Sequence, residues 1–208
     1  MLHKFLISIL LICPVLVFGQ DVAPAYKNQL KISPLRLIDI ANPGIEILYE
    51  RLHSKLFSTE FSAAYMGYFK NYDGFRGFKI GAEEKYFIKT FQTSRRYLSA
   101  QFAFNQSSMK EKAFDTTLTI TNPPNIFTIE KKTATINIKY GSQIFIKPFV
   151  IDFCMGAGVR YRDVKYENRN YSDFVPQPKD WNFRGLEKAE GRTFNFVIPV
   201  NVTFGYMF

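Results

Sequence analysis

Cysteine, histidine and tryptophan are nearly missing from this 208-residue chain: Cys13 and Cys154, His3 and His53, and a single Trp181. With no cluster of cysteines and histidines, no zinc ligand set is spelled out. A hydrolytic or acyl-transferring site needs a nucleophile with a base beside it, and His53 falls in a short turn between strands, where the expectation is a solvated side chain. Gly156-Ala157-Gly158 lies inside a strand pattern with no helix after it, so it is not a phosphate cradle. No catalytic, cofactor-binding or metal-binding residue is therefore assigned, and the expectation is a protein that is not an enzyme and carries no cofactor. A compact basic stripe is also missing, which argues against nucleic acid as partner.

The one long apolar run is at the start. Lys4 precedes Phe5–Phe18, interrupted by Ser8, Cys13 and Pro14, and Gly19 leads into polar Gln20. A basic start, a short apolar core and a small residue at the exit make a secretory signal peptide; the run is too short for a spanning helix, which needs about 20 apolar residues. Lipoprotein processing at Cys13 would require a small residue before it, where Ile12 stands. The reading is a cleaved leader over residues 1–19 and one domain over 20–208. Cleavage would leave Cys154 alone, with no intramolecular disulfide, and would lower the formal net charge from +9 to +8 by removing Lys4.

What is abundant is Phe and Tyr, which lift the aromatic share to 17% and suit pleated surfaces. Phe194, Phe196, Ile198, Val200, Val202, Phe204, Tyr206 and Phe208 form an unbroken period-two face, while Asn195, Val197, Pro199, Asn201, Thr203, Gly205 and Met207, largely small or polar, lie opposite. Ala134, Ile136, Ile138, Tyr140, Ile144 and Ile146 repeat the pattern against Thr135, Asn137, Lys139, Gly141 and Gln143. Phe149, Ile151, Phe153, Met155, Ala157, Val159 and Tyr161 do so against Asp152, Cys154, Gly156, Gly158, Arg160 and Arg162. Further strands are expected near Asn28–Ile38, Gly44–Arg51, Phe57–Tyr68, Phe75–Ile88 and Arg96–Asn105, eight in all. Period two alone also fits a soluble sandwich. A membrane location admits only a closed barrel, because lipid cannot satisfy open strand edges.

Connection lengths sort by side, as a membrane barrel requires. Short turns fall near His53–Lys55, Thr90–Arg95 and Lys147–Pro148, on the expected periplasmic side with both termini. The long connections, Gln106–Thr133 and Asp163–Arg192, fall on the other, and Asn122–Asn125 suggests that the first is a protruding hairpin. Arg51, Lys55, Lys89, Arg95, Arg96 and Lys147 cluster near the short turns, where they suit anionic headgroups or simply solvate the turns.

Inside such a barrel the alternation collects Glu46, Glu50, Glu60, Glu83, Lys85, Lys139, Asp152 and Arg160. Both signs are present, and burying an unpaired ion costs several kcal/mol, so a cross-linked polar plug without a continuous channel is expected; eight strands enclose just enough room for side chains. Glu84 faces outward beside Tyr86. In the last long loop Tyr166, Tyr171, Phe174, Trp181 and Phe183 form either an extracellular contact patch or a cover for the barrel mouth.

With strands and turns placed, the chain resembles small bacterial outer-membrane barrels of the OmpX or OmpA-domain type. It is closer to a group of such barrels with unassigned function, in which a strand ending in Tyr-Glu-Arg leads through a short turn into an amphipathic strand: here Gly44–Arg51, Leu52–Leu56 and Phe57–Tyr65. Tyr140, Gly141, Ser142 and Gln143 stand for a second element of that group. Phe204, Tyr206 and Phe208 resemble the terminal aromatic signal read by barrel-assembly machinery. The resemblance implies an all-β, eight-stranded antiparallel transmembrane barrel, a monomer in the outer membrane of a Gram-negative bacterium. Its outer loops would meet a surface ligand or protein partner. A narrow pore for small solutes and a soluble periplasmic lipocalin-like binder are the alternatives.

Overall fold

The computed structural model describes residues 26–37, 44–67, 74–115, 125–168, 173–174 and 190–208; the expected leader lies outside them. The elements are β1 (Asn28–Ile32), a 3-10 turn (Pro34–Arg36), β2 (Gly44–Leu52), β3 (Phe57–Met66), β4 (Arg76–Thr90), β5 (Ser94–Asp115), β6 (Asn125–Ile146), β7 (Phe149–Glu167), β8 (Asp173–Phe174), β9 (Gly191–Val197) and β10 (Val200–Met207). Each strand from β1 to β7 pairs antiparallel with the next. β9 and β10 pair with β7 in one continuous register, interrupted only at Pro199, which has no N–H to donate. They are two halves of one strand, and β10 returns to β1. The sheet is thus an eight-stranded closed antiparallel barrel, as the alternation predicts, with β8 attached to the upper end of β5.

The register fixes the slant of the wall. A path across the ladders from Lys31 passes Leu48, Ser62, Gly81, Ala103, Thr135 and Arg160 and arrives at Asn195. Lys31 itself pairs with Gly205, ten residues further along the same strand. A stagger of that size requires strands tilted by about 40° to the axis.

Four strand boundaries differ markedly from expectation. β1 stops at Ile32, not Ile38, because Pro34 offers no donor to a ladder; the Arg36 and Leu37 amides bond back to Ser33 and Pro34 instead. β5, β6 and β7 run past their expected ends, to Asp115, from Asn125 and to Glu167, so most of the expected first loop is paired hairpin.

Polarity reverses along those three strands. In the lower section the outward positions are apolar, through Phe104 on β5, Ala134 on β6 and Tyr161 on β7, and the inward ones are largely polar. Above it the outward positions become Gln106, Ser108 and Lys110, then Lys132 and Glu130, then Asp163, Lys165 and Glu167. The inward ones become Met109, Phe127, Ile129 and Val164, all buried and packed with Met66 and Phe75 as an apolar cluster. We call this upper section the crown.

Candidate functional site

The buried interior of the lower section is built from charges. Lys31 on β1 donates to Glu50 on β2, to Glu60 on β3 at 2.8 Å and to Asp152 on β7 at 2.8 Å. Lys85 on β4 donates to the same three carboxylates at 2.9, 2.8 and 2.8 Å. Side chains from five strands thus meet near the axis. Ser58 Oγ (2.6 Å) and Gln143 Nε2 (2.7 Å) complete Glu50, while the Tyr97 hydroxyl (2.7 Å) and Gln143 (3.1 Å) complete Asp152. Burial of ions becomes tolerable when each is paired and its other bonding positions are filled, and here the two ammonium groups share the same three carboxylates. The three carboxylates lie close enough to hold a cation, but two ammonium groups already occupy that role.

Tyr97 reaches Asp152 because of Gly141. The two residues face each other across the β5–β6 ladder, and a Cβ on Gly141 would stand 2.3 Å from the Tyr97 ring. Below this layer Arg95 is stacked between Phe87 and Phe145, at 4.4 and 4.9 Å from the ring centroids. Cation–π contacts of this kind are strongest when desolvated, and Arg95 is buried.

Above the plug the charges separate into pairs, Lys79–Glu46 at 2.6 Å and Lys139–Glu83. They border a cavity of about 400 Å³ that extends to Asn105, Arg160 and Asn201. Of the expected lumen residues, Glu50, Glu60, Lys85 and Asp152 therefore form the plug, Glu46, Glu83 and Lys139 form the pairs above it, and Arg160 lines the cavity. Lys31, Tyr97, Gln143 and Ser58 were not among the expected residues. Lys31 and Ser58 carried no signal beyond parity; Gly141 and Gln143 stood in the quoted Tyr-Gly-Ser-Gln element without an assigned role.

Cys154 is buried against Phe87 and Tyr97 and faces inward as expected. His53 is in the β2–β3 turn, its Nε2 2.7 Å from Thr59 Oγ1, which donates to the outward Glu84 at 2.6 Å. Tyr166 packs on Phe127 in the crown at 5.3 Å between centroids, and Phe174 pairs through its backbone with Phe114; Tyr171, Trp181 and Phe183 lie outside the described residues. Phe204, Tyr206 and Phe208 point outward at the turn end. No family model, curated protein or solved structure matches the chain.

Proposed function

We propose that this chain is a non-enzymatic bacterial outer-membrane barrel whose lumen is sealed by the Lys31/Lys85 plug and whose crown presents a contact surface to the outside. The reversal of polarity carries the reading. Phe149 to Tyr161 marks the outward apolar face of β7, and at about 3.3 Å per residue and a tilt near 40° it covers roughly 30 Å of height. That matches the apolar thickness of a bilayer. Where the outward face turns charged, the inward face turns apolar, as expected for a sheet leaving lipid for water. A soluble lipocalin-like binder would need an apolar lining in the lower section, where the plug stands.

The plug argues for a silent lumen over a narrow pore, since ions would have to displace bonded ammonium and carboxylate groups. Planar-bilayer recording of the refolded protein tests this: we expect insertion without discrete current steps, and reproducible ion-selective steps would replace the sealed reading with the pore. Insertion is scored separately by a heat-dependent gel shift; a chain that stays water-soluble without detergent and shows no shift would remove the membrane reading itself. For the contact role, β7 of the crown leads in sequence to the aromatic residues Tyr171, Trp181 and Phe183, which lie outside the described residues. Deleting residues 171–183 should abolish binding to whole-cell surface polymer or protein partners and leave the gel shift intact. The outward Phe204, Tyr206 and Phe208 are the side chains we assign to recognition by barrel-assembly machinery.

A further inference from the structure

The outward face changes character within a few residues, and at the change the wall carries a hollow. On β4, Ile80 and Phe78 give way upward to Arg76; on β5, Phe104 gives way to Gln106 and Ser108; on β6, Ala134 gives way to Lys132 and Glu130. A hollow of about 460 Å³ spans this boundary, and its lining includes Tyr65, Arg76, Phe78, Gln106, Ser108 and Glu130. Strand pairing explains it. Ser108 stands opposite Arg76 on one side and Glu130 on the other, so a short side chain lies between two long ones. On the row below, Gln106 stands beside Phe78, which in turn pairs with Tyr65.

The lining sorts by chemistry. Tyr65 and Phe78 are 67% and 45% exposed and continue into the apolar face through Phe104, whose ring lies 6.3 Å from that of Phe78. Aromatic residues at such a boundary form the girdle of a membrane barrel. Arg76 offers a guanidinium, whose fork of donors matches a phosphate. Glu130 offers a carboxylate two strand spacings away, about 10 Å between backbones. Among the described residues neither charge is held in an ion pair, although Lys132 and Lys165 flank Glu130. Lys110, Lys132 and Lys165 make the surrounding outward face basic, while Asp163 is turned to Arg192 at 3.7 Å. The surroundings thus favour an anion, and the hollow itself presents one cation and one anion with a hydroxyl and an amide between them.

We infer that the hollow seats the head of an outer-leaflet lipid that carries a phosphoethanolamine group. Arg76 donates to the phosphate, Glu130 accepts from the primary ammonium, Gln106 and Ser108 bond to the oxygens between, and the acyl chains run down over Phe78 and Ile80. A phosphate alone would leave Glu130 facing an anion, and a quaternary ammonium would give it no N–H to accept. The inference rests on the membrane reading, so the heat-dependent gel shift of the refolded full chain is read first. Its absence would overturn both, whereas lipid retention bears on the site alone. The refolded protein in detergent is offered equal amounts of dioleoyl phosphatidylethanolamine, phosphatidylcholine and phosphatidylglycerol, and native mass spectrometry counts the lipid retained. We expect phosphatidylethanolamine to be held about tenfold more than either competitor, equivalent to about 1.4 kcal/mol. Glu130→Gln should erase that preference, and Arg76→Gln should lower all three adducts. Ser108→Trp, an outward substitution that fills the hollow, should abolish retention with the gel shift intact. Phosphatidylglycerol held as well as phosphatidylethanolamine would reduce the site to a basic patch for any phosphate and overturn the inference. Retention unchanged in all three variants, or no retained lipid at all, would overturn it too.

Discussion

The same three strands, β5, β6 and β7, build two sections with opposite rules. In the lower section Ile136 and Ile138 of β6 point outward at 58% and 59% exposure while Asn137 and Lys139 are buried. A few residues earlier on the same strand Phe127 and Ile129 are buried while Lys132 is exposed. Backbone pairing is continuous through the change, so the hydrogen-bonded frame is indifferent to which face is greasy. What differs is the filling of the inside: in the crown a hydrophobic core, in the lower section a network of paired ions.

The contrast is broken most severely from within the lower section. Lys31→Met leaves three buried carboxylates with one ammonium, and removing one member of a buried ion pair costs about 3–5 kcal/mol; urea titration in vesicles, read by the gel shift, should show that loss. Phe127→Ala should cost about 3–5 kcal/mol, but as a local event: hydrogen exchange would accelerate in the crown and stay slow at the level of the plug. Ile138→Arg tests the medium, since arginine at the middle of a lipid-facing barrel costs about 2–4 kcal/mol. A change below about 0.5 kcal/mol, usual for a water-exposed site, would mean that this face is not in lipid. The smallest effect is expected for Arg192→Ala, which removes an exposed contact with Asp163 at 3.7 Å; surface pairs of this kind contribute about 0–1 kcal/mol, and the same titration should barely move.

These rules also explain which parts were legible in the sequence. The lower strands were, because parity there is uniform: Phe149 to Tyr161 and Phe194 to Phe208 keep one face apolar throughout. The full length of β5 and β6 was not, because a period-two pattern whose sign flips between Ser107 and Met109, or between Lys131 and Ile129, reads as a strand ending. Parity also puts the plug carboxylates and Lys85 on the inward face, where their side chains are buried. It did not reveal Lys31 as their shared partner, because that depends on the ten-residue stagger by which the wall closes, and stagger is a property of pairing between strands. Two quoted sequence elements gain a physical reason: Tyr-Glu-Arg carries Glu50, and Tyr-Gly-Ser-Gln carries both the seat for Tyr97 and the amide of Gln143.

The seam between β1 and β10 spans Asn28–Phe208 to Ile32–Phe204, yet it governs how the molecule can be made. Lys31 and Asp152 are 121 residues apart in the chain, and contacts so distant form late and slowly. In a sheet still open at the seam, Lys31 and Lys85 can sit with Glu50 and Glu60 on neighbouring strands, whereas Asp152, on β7, has no ammonium group within reach. In the open sheet the Asp152 carboxylate is hydrated, and closure exchanges that water for the two ammonium groups. The ring and its lock are completed together, which makes the last step of assembly all-or-none and disfavours partly closed forms.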